Sequence, residues 1–261
     1  MSHTIAVAGK GGTGKTTICG ILIQYLCRYG KGPVLAVDAD ANSNLNEVLG
    51  IDAPVSLGEI REEITKAQAL GTVPMGMGKQ EYAEYRFNSA LSENDDFDML
   101  VMGRTQGKGC YCYVNGLLST LIGKFASSYS HIIVDNEAGL EHISRGILPK
   151  VDTMLLVSDC SRRGIQAVGR IAEMVRELKL NPGQMKLIVN RAPDGILADG
   201  VKEEIEKQGL ELLGVVPQDE KVYRCDCEGK PSALLPEDAP AKAAVRELIK
   251  NLGLPNLTIQ E

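Results

Sequence analysis

The chain has 261 residues, enough for one sizeable α/β domain over 1–261, and its 44% hydrophobic and 24% charged residues are the balance of an ordinary globular protein. A net charge of −6 without a run of Lys or Arg argues against a nucleic-acid partner, because such binding needs a basic surface that displaces counterions. No segment has the form of a signal peptide and no apolar run approaches the roughly 20 residues that span a bilayer, so a cytoplasmic protein with no membrane partner is expected; its seven cysteines are then thiols or metal ligands.

The first predicted element is a strand at His3–Ala8. It runs into Gly9-Lys10-Gly11-Gly12-Thr13-Gly14-Lys15-Thr16-Thr17, and a predicted helix follows at Lys15–Tyr29. The stretch fits G-x-x-x-x-G-K-[ST], the phosphate-binding P-loop, in its proper strand–loop–helix context. Glycines let backbone N–H groups curl round a polyphosphate, and the helix N-terminus adds positive potential. Gly11, Gly12, Thr13, Gly14, Lys15, Thr16 and Thr17 are therefore the nucleotide-binding candidates. Lys15 reaches the β- and γ-phosphates, and the Thr16 hydroxyl sits on Mg²⁺. Lys10 is one lysine more than such a loop needs.

The second strand, Pro33–Val37, ends in Asp38-Ala39-Asp40. Two carboxylates one residue apart at a strand end can face a hydrated Mg²⁺ and an attacking water. A solvated, helix-capping turn is the plainer alternative. Residues 51–97 have the weakest pattern and read as a helix-and-loop insertion, with Met75 and Met77 as packing or loop residues. A strand at Met99–Gly103 leads to Gly109-Cys110-Tyr111-Cys112, read as a loop ahead of a helix at Asn115–Ser127. Two thiols one residue apart can converge on a soft metal ion. The helix start, with Arg104 and Lys108 nearby, favours thiolate. Two ligands are too few for a closed tetrahedral site, but two copies across a symmetric dimer supply four. Such a Cys₄ set takes zinc, nickel or iron alike.

The strand His131–Asp135 ends in a Walker B-like carboxylate, Asp135, followed by Glu137 and Gly139 and a predicted helix at Glu141–Leu148. Further strands read at Thr153–Ser158, Lys186–Asn190 and Leu212–Val216, and further helices at Ile165–Leu178, Asp199–Gln208, Glu220–Glu228 and Pro240–Leu252. Asn190-Arg191 closes one strand, and Pro217-Gln218-Asp219 joins another to a helix cap. Cys225 and Cys227 fall in a helix, where positions i and i+2 lie roughly 200° apart and do not readily share an ion. Cys19 and Cys27 read as small core residues. Cys160, near Arg162 and Arg163, is open to either role. Strands apolar throughout are buried on both faces, which predicts a doubly wound, mostly parallel α/β sheet. All the motifs follow strand ends and can share one edge of it.

The extra lysine in GKGGTGKTT resembles the deviant P-loop of the MinD, ParA and nitrogenase iron-protein group. That resemblance implies a homodimer formed on ATP, with Lys10 acting in trans on the partner's nucleotide. It also implies that Asp40 orients or activates the water and that Asp38 supports the magnesium shell with Asp135. Gly139 would sense the γ-phosphate, Asn190-Arg191 would meet the adenine edge, and Pro217 and Asp219 would flank the base. Glu137 is either structural or couples this switch to a partner.

Taken with Val37-Asp38-Ala39-Asp40, Gly-Cys-Tyr-Cys and Asp-Asn-Glu-Ala-Gly-Leu-Glu-His, the chain resembles the CooC family of nickel-insertion ATPases, including its AcsF branch. The implied activity is ATP hydrolysis by a metallochaperone. It would hold Ni²⁺ or Zn²⁺ at Cys110 and Cys112 and serve carbon monoxide dehydrogenase or acetyl-CoA synthase. Two alternatives stand beside it. One is an Fe–S cluster carrier or reductase, although the nitrogenase iron protein has a cluster cysteine where this chain reads Asn136-Glu137-Ala138. The other is a MinD-like positioning ATPase, which ends in a basic amphipathic helix. Here Val245, Leu248, Ile249 and Leu252 share a face of the last helix, which is only mildly basic and reads as packing on the domain. The Cys225/Cys227 pair departs from the CooC pattern.

Overall fold

The computed structural model describes residues 2–104, 110–138 and 150–257, with backbone alone at 110–113. The predicted helix at 141–148 and Gly139 lie outside these residues. An eight-stranded sheet runs β3 (Ser92–Glu93), β4 (Asp98–Val101), β2 (Val34–Ala39), β5 (His131–Asn136), β1 (His3–Gly9), β6 (Thr153–Asp159), β7 (Gln184–Ala192), β8 (Leu212–Pro217). Every pairing is parallel except β3 with β4. This is the expected doubly wound, mostly parallel sheet.

The two-residue period of a strand sorts side chains onto two faces. On one face Ala6, Leu35, Val37, Leu100, Val134 and Leu156 are buried under α3 (Leu57–Leu70), α5 (Cys110–Phe125), α6 (Arg162–Glu177) and α7 (Asp199–Lys207). On the other, Ile5, Val7, Ala36, Ile133, Leu155 and Ile188 are buried under α1 (Lys15–Tyr29) and α9 (Pro240–Asn251). Val245, Leu248, Ile249 and Leu252 are all buried there, so the apolar face of the last helix is spent on the core. Among the described residues no helix is long and apolar enough to cross a membrane.

Residues 51–97 hold α3, α4 (Lys79–Asn88) and β3. The start of α3 is written in the sequence as a capping box: Ser56 Oγ accepts from Glu59 N at 3.2 Å, and Glu59 Oε2 accepts from Ser56 N at 2.9 Å. Strand β3 is too short to leave a pattern. A short helix, α2 (Leu45–Leu49), follows β2, and α8 (Glu220–Glu228) follows β8.

One expectation needs correction. The Cys110–Cys112 segment is not a loop: α5 begins at Cys110, five residues before the predicted start. Aromatic residues have weak helix propensity, which hides this turn in the sequence. Packing overrides it, because Val114, Leu118, Leu121 and Ile122 are buried at helical spacing.

Candidate nucleotide and magnesium site

Strand β1 ends where its neighbour is tightest. A Cβ on Gly9 would lie 2.1 Å from the Val157 carbonyl oxygen on β6, so only glycine lets the chain pass. The loop then turns through Gly12 and Gly14, at φ 76° and 88°. Gly14 is the N-cap of α1, with no side-chain cap and no acid in the first turn. The first amides of α1 are left for a ligand, and the helix dipole favours an anion there. Lys15 is buried and its Nζ donates to the Lys10 carbonyl at 3.3 Å; Thr13 Oγ1 donates to the same oxygen at 2.9 Å. That carbonyl therefore holds the loop closed, while the Lys10 side chain is exposed.

Beside the loop stand the carboxylates. Asp38 and Asp135 are register partners on β2 and β5, both buried on the α1 face. Burial, then the charge of Asp135, raises Asp38 to about 7. Its two oxygens accept from Asp40 N and Leu45 N, each at 3.0 Å, so it shapes the turn after β2. Burial raises Asp135 to about 6, against the opposing pull of Thr16 and Lys15. Asp135 Oδ1 is buried without a hydrogen-bond donor. An orphaned carboxylate oxygen beside a second acid and the Thr16 hydroxyl is a donor set that fits a hard divalent cation such as Mg²⁺. Asp40 lines the cavity, its Oδ1 accepting from Asn42 N at 2.8 Å.

The cavity has a volume of about 790 Å³ and runs from the P-loop to the ends of β7 and β8. Asn190 Nδ2 donates to the Thr13 carbonyl at 2.8 Å, and Arg191 Nη1 to the Gly12 carbonyl at 3.0 Å. Both residues thus brace the loop from the far side. Arg191 holds a left-handed φ of 57°, and Cys160 Sγ donates to its carbonyl at 3.5 Å, which gives Cys160 a local role. Pro217 lines the cavity. Asp219 caps α8 through Lys221 N at 2.8 Å and holds the start of α9 through Ala241 N at 3.0 Å.

Sequence reasoning missed part of the lining. Val222, Tyr223 and Cys225 of α8 form one wall, their i, i+1 and i+3 spacing being the only signal. Cys225 faces the cavity while Cys227 is exposed. Cys19 is buried beside Asp135, and burial raises its thiol far above the usual range; burial also pushes the half-buried Cys27 thiol up to about 12. Among the described residues no cluster of three His, Cys, Asp or Glu could hold a metal. The side chains of Cys110 and Cys112 lie outside those residues.

A family model described as the CobQ/CobB/MinD/ParA nucleotide binding domain matches residues 4–232. An uncharacterized ATP-binding protein of Methanocaldococcus jannaschii is 36% identical, over 95% of this chain and 97% of its own length. The carbon monoxide dehydrogenase accessory protein CooC of Rhodospirillum rubrum is 28% identical, over 86% of this chain and 87% of its own. Among solved structures, the septum site-determining protein MinD of Pyrococcus horikoshii, complexed with Mg-ADP, superposes with a TM-score of 0.69 at 20% identity, covering 97% of this chain and 96% of that one, a likeness of fold. With a P-loop, paired acids and a cavity joined at one sheet edge, the chain belongs to the CobQ/CobB/MinD/ParA nucleotide-binding family and is a P-loop ATPase.

Proposed function

We propose that this ATPase is a cytoplasmic metallochaperone that works as an ATP-bound homodimer and assists nickel insertion into carbon monoxide dehydrogenase or acetyl-CoA synthase. The observation that carries the reading is the Cys-Tyr-Cys turn at the head of α5, which follows β4 and so begins at the sheet edge that holds the P-loop. Similarity to a carbon monoxide dehydrogenase accessory protein supports it.

In this reading Lys15 and the amides of Gly11–Thr17 hold the phosphates. Thr16, Asp38 and Asp135 would hold Mg²⁺, which supplies charge neutralisation at the phosphate oxygens. Asp40 accepts the proton of the water that attacks the γ-phosphate, and ADP and phosphate leave. Asn190, Arg191, Pro217 and Asp219 form the base end of the cavity. The exposed Lys10 reaches the partner's nucleotide. Cys110 and Cys112 of both copies bind the cargo, Ni²⁺ or Zn²⁺. Positions i and i+2 of a helix lie about 200° apart, so both cysteines of one copy reach a shared ion only if the first turn of α5 opens.

Anaerobic metal titration tests the reading. About one Ni²⁺ or Zn²⁺ per dimer is expected, lost in the Cys110→Ala/Cys112→Ala variant. Unchanged stoichiometry in that variant sinks the site, and iron with sulfide in the purified protein would replace the cargo by a cluster. Lys10→Gln should bind ATP but not dimerise productively; full ATPase activity in it refutes the trans role.

A further inference from the structure

A second, smaller cavity of about 80 Å³ lies beside the nucleotide cavity. Gln24, Tyr25 and Arg28 of α1 line it, with Lys242 and Arg246 of α9 and with Glu237 from the segment that joins α8 to α9. Ile21 of α1 lines both cavities, so the two are neighbours.

The charge in the small cavity does not balance. Glu237 is one carboxylate set against Arg28, Lys242 and Arg246. Its Oε1 accepts from Arg28 Nη1 at 3.2 Å and lies 3.1 Å from Lys242 Nζ, while its Oε2 lies 3.6 Å from Arg246 Nη1. Lys242 is buried and also donates to the Ala233 and Leu235 carbonyls, at 3.0 and 2.8 Å, which fixes its place. Arg246 is left unsatisfied. Its Nη1 is too far from Glu237 for a hydrogen bond, and its buried Nε has no acceptor among the described residues, Glu247 Oε1 being 3.8 Å away. A buried donor without an acceptor is costly, and Glu247 is shared with Lys250 at 2.8 Å. Arg28, Lys242, Arg246 and Lys250 against Glu237 and Glu247 are four cations to two carboxylates, an excess of two positive charges. The bond from Arg28 to Glu237 joins side chains 60% and 39% exposed, and an exposed ion pair adds little to stability. A stronger anion can displace that carboxylate.

We propose that this cavity is a binding site for a phosphate-type oxyanion, held by the Arg28 and Arg246 guanidinium groups with the Lys242 ammonium as third cation, in competition with the Glu237 carboxylate. A guanidinium fork matches two phosphate oxygens, and the bound anion supplies the acceptor that Arg246 lacks. A phosphate group carries a charge of about −1.5 to −2 near pH 7, which meets the excess that a single carboxylate leaves. A water needs roughly 10–15 Å³ of such space, so the cavity has room for a tetrahedral ion and none for a nucleotide. Occupancy of this site does not depend on the metal cargo.

The test is calorimetric titration of the full-length protein with inorganic phosphate and, separately, with glycerol 3-phosphate, at constant ionic strength. Saturating Mg²⁺ and a non-hydrolysable ATP analogue keep the P-loop filled. One anion per chain is expected to bind. Arg28→Gln and Arg246→Gln should each weaken binding about ten-fold, the effect of losing one charge-assisted partner. Glu237→Gln should tighten it about five-fold, because the competing carboxylate is gone. That gain distinguishes a binding site from a cluster that merely holds the fold. Tighter binding of inorganic phosphate assigns the site to the free ion, and tighter binding of glycerol 3-phosphate assigns it to a phosphomonoester. Absence of binding by both overturns the proposal. Binding that is unchanged in Arg246→Gln, or weakened in Glu237→Gln, overturns it as well.

Discussion

Asp38 and Asp135 stand side by side as register partners on β2 and β5, two buried acids of which only one has its oxygens fully engaged. Their substitutions should therefore differ. Asp135→Asn removes like-charge repulsion and leaves the apoprotein about as stable as wild type at pH 7.5. Asp38→Asn has one acceptor oxygen for two backbone amides, and an unsatisfied buried donor costs about 1–3 kcal/mol. In thermal melts Mg-ADP should stabilise the wild type beyond ADP alone, by up to about 3 kcal/mol at a hundredfold excess over Kd. Asp135→Asn should lose that magnesium increment; an unchanged increment counts against Asp135 as a ligand.

Gly14 and Asn190 set a second test. A Cβ on Gly14 would lie 2.3 Å from Asn190 Nδ2, at a backbone φ of 88°. Gly14→Ala should cost about 1–3 kcal/mol in urea unfolding and abolish ATP hydrolysis. Asn190→Ala, which removes the brace on Thr13, should raise KM for ATP about ten-fold and lower kcat less. The double variant should be more stable than the sum of the two, because Asn190→Ala relieves the clash; strict additivity contradicts this geometry.

Asp219 should behave as a structural residue as much as a binding one. It caps α8 and anchors the start of α9, and losing a helix cap costs about 1–2 kcal/mol. Asp219→Ala should lower the unfolding free energy by about 2 kcal/mol without nucleotide present, while Asp219→Asn loses less. A variant with weakened nucleotide binding and wild-type stability would point to a ligand role alone.

His131 gives a pH dependence. The ring is buried, with Nδ1 3.0 Å from Ser130 Oγ and Nε2 2.9 Å from the Pro255 carbonyl. Burial lowers its pKa, and His3 adds to this. The folded state then binds fewer protons than the unfolded chain below the unfolded histidine value of about 6.5, so this stability is present above it and is lost as pH falls. Asp38 and Asp135 are raised and act in the opposite direction. The comparison of wild type with His131→Gln cancels them. The urea midpoint of the variant should fall less between pH 7.5 and 5.0; equal slopes would remove the histidine contribution.

The P-loop, the two acids at the ends of β2 and β5 and all the long strands were legible because each is a local pattern. A loop that wraps phosphate needs glycines at fixed spacing, and a strand buried on both faces must be apolar throughout. The bounds of α1 and α8 were read as the structure has them, since Gly14 and Gly30 bracket the first helix and Asp219 and Gly229 the second. The start of α5 was misplaced because Tyr111 and Tyr113 lack helix propensity, and burial further along the helix decided it.

By itself, then, the sequence determined the fold class, the phosphate loop and the identity of the charged groups, which are set by short-range spacing and chemistry. Only the tertiary structure decided their partners. It set Asn190 under Thr13, Asp135 beside Asp38, Asp219 at the start of α9 and Arg104 on Asn42. These contacts join residues that the chain separates by tens of positions, and they depend on strand order and register, which no local pattern records.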